Sequence, residues 1–146
     1  PELTELIARS LSLLGSERAW VVHGADGLDE LSTTGYTKVS ECKGTSVQTF
    51  YVHPADFGLA KATPASLKGG DAATNAKIVR AVLAGEPGRP RDVVLLNAGA
   101  ALFVSGQADT VKDGIARAAA AIDDGSAPRL LERLIDVSNR GSGAPA

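Results

Sequence analysis

The chain has 146 residues, enough for one domain with its own core, and 15 basic against 17 acidic residues leave a net charge of −2. That balance excludes strong electrostatic attraction to nucleic acid or an anionic membrane, and no stretch approaches the roughly 18 apolar residues of a membrane span. The single cysteine, Cys42, excludes an internal disulfide framework and fits a reducing cytosol, so a cytoplasmic protein is expected.

In chain order, Leu3, Leu6, Ile7, Leu11 and Leu14 recur at helical spacing before Gly15, which predicts an amphipathic helix over residues 2–14 with a glycine stop. Ala19 to His23 is a short apolar run. It reads as a strand buried on both faces, as in a parallel sheet. Thr37 to Cys42 and Ser46 to His53 are rich in β-branched and aromatic residues around Lys43-Gly44-Thr45, a hairpin signal. Residues 54–68 lack a period and read as loop. Ala72 to Ala84 is a helix capped by Asp71 and stopped by Gly85. Glu86 to Pro90 is a turn. Val93 to Val104 is apolar on all sides, which predicts a buried helix from Asp92 to Ser105, stopped by Gly106. Thr110 and Asp113 form a capping-box-like start for a helix to Asp124. Ser126 caps the last helix, with Leu130, Leu131, Leu134 and Ile135 as its expected core face. Residues 141–146 read as a flexible tail.

Chemistry concentrates where the first strand breaks into His23-Gly24-Ala25-Asp26-Gly27-Leu28-Asp29-Glu30, a loop with three carboxylates. Loops at the carboxyl ends of buried strands are where α/β proteins place ligands. Asp29 and Glu30 are adjacent like charges; at about 4 Å they would repel by about 1 kcal/mol in water and about 4 kcal/mol near a protein surface. A divalent cation turns that repulsion into attraction. Magnesium suits the pair, since it takes one or two carboxylates and completes its octahedron with water and substrate phosphates. On the residues alone, solvated acids or a helix cap also account for the pair.

Other polar residues carry less. Gly69-Gly70-Asp71 precedes a helix, but a carboxylate at the cap competes with phosphate, so the segment reads as structural. His23 ends a buried strand and His53 precedes Pro54, where exposure is expected. Neither has a second histidine or a cysteine at ligand spacing, so zinc is not expected. Asn97, inside the apolar helix, needs a partner and is expected to tie a neighbouring loop. Ser32, Thr33 and Thr34 follow the acidic pair with nothing to activate them as nucleophiles.

The strings from Val21 to Ser32 (VVHGADGLDELS), Leu67 to Ala76 (LKGGDAATNA) and Leu95 to Leu102 (LLNAGAAL) together resemble the C-terminal half of the anthranilate phosphoribosyltransferase family of tryptophan biosynthesis, up to about Arg140. The resemblance implies that Asp29 and Glu30 hold magnesium beside phosphoribosyl pyrophosphate, with Glu30 able to serve two metal positions. It names no catalytic residue and no further substrate-binding residue in this chain. The implied reaction is displacement of pyrophosphate from the sugar by the anthranilate nitrogen, in a full-length homodimer. The implied fold is the C-terminal part (residues 1–140) of an α/β phosphoribosyltransferase domain, a largely parallel central sheet with a hairpin, flanked by helices. The upstream helical domain and the pyrophosphate and anthranilate sites of the family lie outside this sequence. With no methionine and Pro1 at its start, the chain is expected to be part of a longer enzyme and inactive alone. Two alternatives remain: a related nucleoside phosphorylase, and a non-catalytic module binding a metal or a partner.

Overall fold

The computed structural model describes residues 2–140. In chain order it has α1 (Leu3–Leu13), β1 (Arg18–Gly24), β2 (Thr37–Lys43), β3 (Ser46–Val52), two 3-10 turns (Pro54–Phe57 and Pro64–Leu67), α2 (Ala72–Leu83), α3 (Arg89–Val104), α4 (Val111–Asp123) and α5 (Ser126–Asn139). The expected tail, residues 141–146, lies outside the described residues. No helix is long and apolar enough to cross a membrane among the described residues.

The three strands form one antiparallel sheet in the order β1-β2-β3, with Trp20 opposite Glu41, Val22 opposite Val39 and Val39 opposite Phe50. The hairpin between β2 and β3 turns at Gly44, whose φ of 56° is cheap only without a Cβ. This corrects the expectation for Ala19 to His23. Its one strand partner among the described residues is antiparallel, and it is half-buried at the sheet edge. The strand covered on both faces is β2, the central one: Ser40 turns to α1, where its hydroxyl donates to Thr4 Oγ1 at 3.0 Å, and Val39 turns to the core. The apolar run marked a strand, but its place in the sheet came from its neighbours.

The main core joins the sheet to the helices through Leu31, Val39, Leu96, Ala100 and Val111. A second cluster of Val82, Leu95 and Ile122 links α2, α3 and α4. Helices α3 and α4 cross in close contact at Gly99 and Gly114; a Cβ on Gly114 would lie 2.2 Å from the Gly99 carbonyl oxygen. Most of α3 is buried or half-buried, as its apolar sequence predicts, although Val94 is exposed.

Two helices leave the apolar positions read from the sequence largely uncovered. In α1 the residues against the sheet are Thr4 and Ala8, while Leu3, Leu6, Ile7 and Leu14 are exposed. Small residues let the helix sit close to the strands, and a row of leucines would hold it away. In α5 no residue is buried, and Leu130 and Leu134 are exposed. Apolar periodicity identifies which face can be buried, not whether anything covers it.

Beneath the sheet Glu41 is almost fully buried yet well satisfied. It accepts from Trp20 Nε1 at 2.9 Å, Gln48 Nε2 at 2.7 Å and Arg18 Nε at 2.8 Å. The Arg18 guanidinium also stacks 3.8 Å above the Phe103 ring, and Trp20 meets Phe50 and Phe103 edge-on. Burial pushes the Glu41 carboxyl up, but hydrogen bonds from Trp20, Gln48 and Arg18, with the Arg18 charge, outweigh it and hold the group below its usual value. A carboxyl lowered in the folded state adds stability above the unfolded value, about 4.3, and that stability is lost as pH falls further through the folded value. The expected result is a thermal midpoint that drops on acidification below about pH 4, with a shallower drop in Glu41→Gln. Parallel acid profiles for the two proteins would show that Glu41 contributes nothing to acid stability.

Candidate metal-binding loop

The segment between β1 and β2 is held by its own polar groups and by two outside ties. Ala25 N–H donates to Tyr36 O at 2.8 Å, Gly24 N–H to Leu28 O at 2.8 Å and Gly27 N–H to Gly24 O at 2.9 Å. A Cβ on Gly24 would lie 2.4 Å from Asp26 Oδ1, so this glycine admits the Asp26 carboxylate.

Asp26 is the knot of the loop. Its carboxylate accepts from the Leu28 N–H at 3.1 Å and from the hydroxyls of Ser32 and Thr34. Burial raises the Asp26 carboxyl, but the donors from Ser32, Thr34 and Leu28 outweigh it and leave the group below its ordinary value. Further along, Ser32 N–H donates to Thr37 Oγ1 at 2.9 Å, and Ala62 N–H donates to Thr33 O at 2.8 Å. Ser32 and Thr34, which offered no nucleophile chemistry in the sequence, are the donors that bind Asp26. The Asp-x5-Ser-x-Thr spacing was the signal available for that knot.

Asn97 reaches the same loop from α3. Its Oδ1 accepts from Leu31 N–H at 2.9 Å and its Nδ2 donates to Leu31 O at 3.0 Å, the tie to a neighbouring loop expected from its place in an apolar helix.

The three carboxylates therefore separate. Asp26 is consumed by internal donors. Asp29 is exposed and Glu30 half-buried, and neither has an ion-pair partner among the described residues. Burial, then the charges of Asp29 and Asp26, push the Glu30 carboxyl up. An acid raised by burial and by two nearby carboxylates, with no ion-pair partner among the described residues, is one whose charged form a bound divalent ion would favour. Among the described residues no group of three His, Cys, Asp or Glu side chains is placed to cage a metal. Two carboxylates with open positions fit magnesium, which keeps water and substrate oxygens as its other ligands. Glu30 also borders an apolar groove of about 330 Å³ with Leu28, Lys68, Ile78, Val82 and Val93.

The other residues singled out in the sequence make no hydrogen bond to the acidic pair among the described residues. Asp71 caps α2 by accepting from Thr74 N–H at 2.8 Å, so the Gly69-Gly70-Asp71 segment is a helix start, and Asn75 pins Gly70 N–H at 2.8 Å. His53, expected to be exposed, is half-buried: Nδ1 accepts from Ala55 N–H at 3.2 Å and the ring packs 4.9 Å from that of Tyr36. Its ring starts the 3-10 turn at Pro54, which the lack of a period had read as loop. His23 is half-buried at the end of β1, opposite Lys38.

Comparison with known proteins agrees with this architecture. The chain is 56% identical over 138 residues to the anthranilate phosphoribosyltransferase of Paramagnetospirillum magneticum, covering 94% of this chain and 40% of that protein. It is 50% identical over 139 residues to the enzyme of the same name from Brucella ovis, covering 95% and 41%. The chain thus spans about 40% of the length of the curated relatives it matches. Among solved structures it superposes on anthranilate phosphoribosyltransferase from Thermus thermophilus with a TM-score of 0.81 at 37% identity, over 91% of this chain and 39% of that one. For the Saccharomyces cerevisiae enzyme in complex with PRPP and Mg the TM-score is 0.82 at 30% identity, over 92% and 39%. The family model described as "Glycosyl transferase family, a/b domain" matches residues 1–128. The chain therefore belongs to the glycosyl transferase family and forms part of its a/b domain.

Proposed function

We propose that this chain is the metal-holding part of an anthranilate phosphoribosyltransferase, which transfers phosphoribosyl from phosphoribosyl pyrophosphate to the anthranilate nitrogen and releases pyrophosphate. The observation that carries the reading is the Asp29–Glu30 pair: two carboxylates with no ion-pair partner among the described residues, on a loop that Asp26 and Asn97 hold fast. The yeast relative has been seen with PRPP and Mg, and with 4-fluoroanthranilate, which supports the same ligands here. When bound, magnesium would neutralise the charge that builds on the departing pyrophosphate. Asp29 and Glu30 would hold it there, and the anchored loop would keep both carboxylates in place without reorganisation. Residues 1–140 would belong to one α/β domain of a cytoplasmic, homodimeric full-length enzyme.

The test is the full gene product assayed with anthranilate and phosphoribosyl pyrophosphate, following loss of anthranilate fluorescence. The expected result is turnover that needs magnesium and stops with a chelator. Turnover of a nucleoside with inorganic phosphate, and none with anthranilate, would replace this reading with the phosphorylase one.

A further inference from the structure

Asparagine is a poor choice for the middle of an apolar helix, because it weakens the helix slightly and every buried polar atom needs a partner. In Asn97 both amide atoms are used. Oδ1 accepts from Leu31 N–H at 2.9 Å, and Nδ2 donates to Leu31 O at 3.0 Å and to Val93 O at 3.0 Å. Leu31 is 2% exposed, its side chain set in the main core. Its amide nitrogen lies in the same planar peptide unit as the carbonyl and Cα of Glu30, so a bond to that N–H orients the Glu30 backbone directly.

On the other side, Leu28 is fixed by its N–H to Asp26 Oδ1 at 3.1 Å and by its carbonyl, which accepts from Gly24 N–H at 2.8 Å. Asp29 and Glu30 thus form a two-residue arch between anchored ends at Leu28 and Leu31. Their like charges favour splaying apart. Restraint at the ends opposes it.

We infer that Asn97 is a positioning residue: through the Leu31 peptide it sets the direction in which Asp29 and Glu30 present their carboxylates to a divalent cation. This rests on the reading of the acidic pair proposed above. Partners one step removed from a metal typically change its affinity by about 10- to 100-fold when replaced.

The experiment compares Asn97→Ala, Asn97→Asp and the Asp29→Ala/Glu30→Ala double variant in the full gene product. Asn97→Asp keeps an acceptor for Leu31 N–H but sets a carboxylate oxygen against the Leu31 and Val93 carbonyls. The readouts are half-saturating magnesium in the assay, manganese binding by electron paramagnetic resonance without substrates, and the thermal midpoint. Both Asn97 variants are expected to need about tenfold more of either ion. A merely structural residue would lower the thermal midpoint and leave both metal readouts unmoved. That outcome overturns the inference, as does failure of both Asn97 variants to fold. A double variant that loses manganese binding beside Asn97 variants that keep it overturns the inference alone. A double variant that binds manganese like the unaltered protein overturns the reading of the acidic pair, and this inference with it.

Discussion

Replacing Asp29 and Glu30 together with alanine is expected to lower kcat/KM of the full gene product by about a thousandfold while barely changing its stability. The first half follows from the proposed role. Charge stabilisation by a metal is worth several kcal/mol in the transition state, and about 4 kcal/mol corresponds to about a factor of a thousand. The second half follows from the geometry. Neither side chain has an ion-pair partner among the described residues, and the loop is tied at Leu28 and Leu31, on either side of the pair. Burial and the charges of Asp29 and Asp26 already push the Glu30 carboxyl up, so removing the pair relieves repulsion. A stability change within about 0.5 kcal/mol is expected, as for most surface substitutions. Kinetics over a magnesium series, beside urea unfolding, checks both halves. Normal turnover at saturating magnesium would remove the metal role from these residues.

The same electrostatics sets a pH dependence. A metal ligand must be deprotonated to bind, so acid competes with magnesium at Glu30, and its raised value moves that competition toward neutral pH. Half-saturating magnesium should therefore rise as pH falls through the weakly acidic range.

Gly114→Ala is expected to have the largest effect on stability. Its Cβ would stand 2.2 Å from the Gly99 carbonyl oxygen and 2.8 Å from the Gly99 carbonyl carbon. Both are backbone atoms, so no rotamer change makes room and α3 and α4 must move apart. Alanine's better helix propensity returns about 1 kcal/mol. Overpacking a close contact costs up to about 3 kcal/mol and occasionally more, so the loss prevails. Separation would loosen Leu96, Ala100 and Val111 in one core cluster and Leu95 and Ile122 in the other. Because Asn97 is two residues before Gly99 on α3, the candidate metal-binding loop should loosen as well. A net loss of about 2 kcal/mol would lower the thermal midpoint by several degrees. Gly35→Ala is the control, since a Cβ there meets nothing within 4 Å. A Gly114→Ala protein as stable as that control would show that the helices do not cross at this contact.

Local chemistry was legible in the sequence wherever a few neighbouring residues settle the outcome. The helix start at Asp71, the Thr110 cap of α4, the hairpin at Gly44 and the stop at Gly106 each depend on one side chain or one φ angle within a few residues. The need of Asn97 for a partner was equally visible, because an amide in an apolar helix gains from a hydrogen bond wherever water is kept from it. Its partner was not: Leu31 lies 66 residues away, and only the packing of α3 against the loop brings them together. The division of labour among the carboxylates is set nearer in the chain, at the Asp-x5-Ser-x-Thr spacing. Asp26, Asp29 and Glu30 look alike in sequence, and hydroxyls folded back from Ser32 and Thr34 occupy the first, while the other two have no ion-pair partner among the described residues. Strand partnership and helix facing also waited for the tertiary structure. An apolar run at Ala19 to His23 is compatible with either neighbour direction, and the leucines of α1 and α5 specify a sticky face without specifying what lies against it. The sequence by itself determined the helices, the strands, the caps at Asp71 and Thr110 and the presence of an acidic pair. Ser126, read as a cap, is instead the first residue of α5, whose N-cap Gly125 makes no side-chain bond. Tertiary contact alone decided that Asn97 meets Leu31, because a hydrogen bond between residues 66 apart, unlike a helix cap or the bond from Ser32 to Asp26, has no spacing in the chain that announces it.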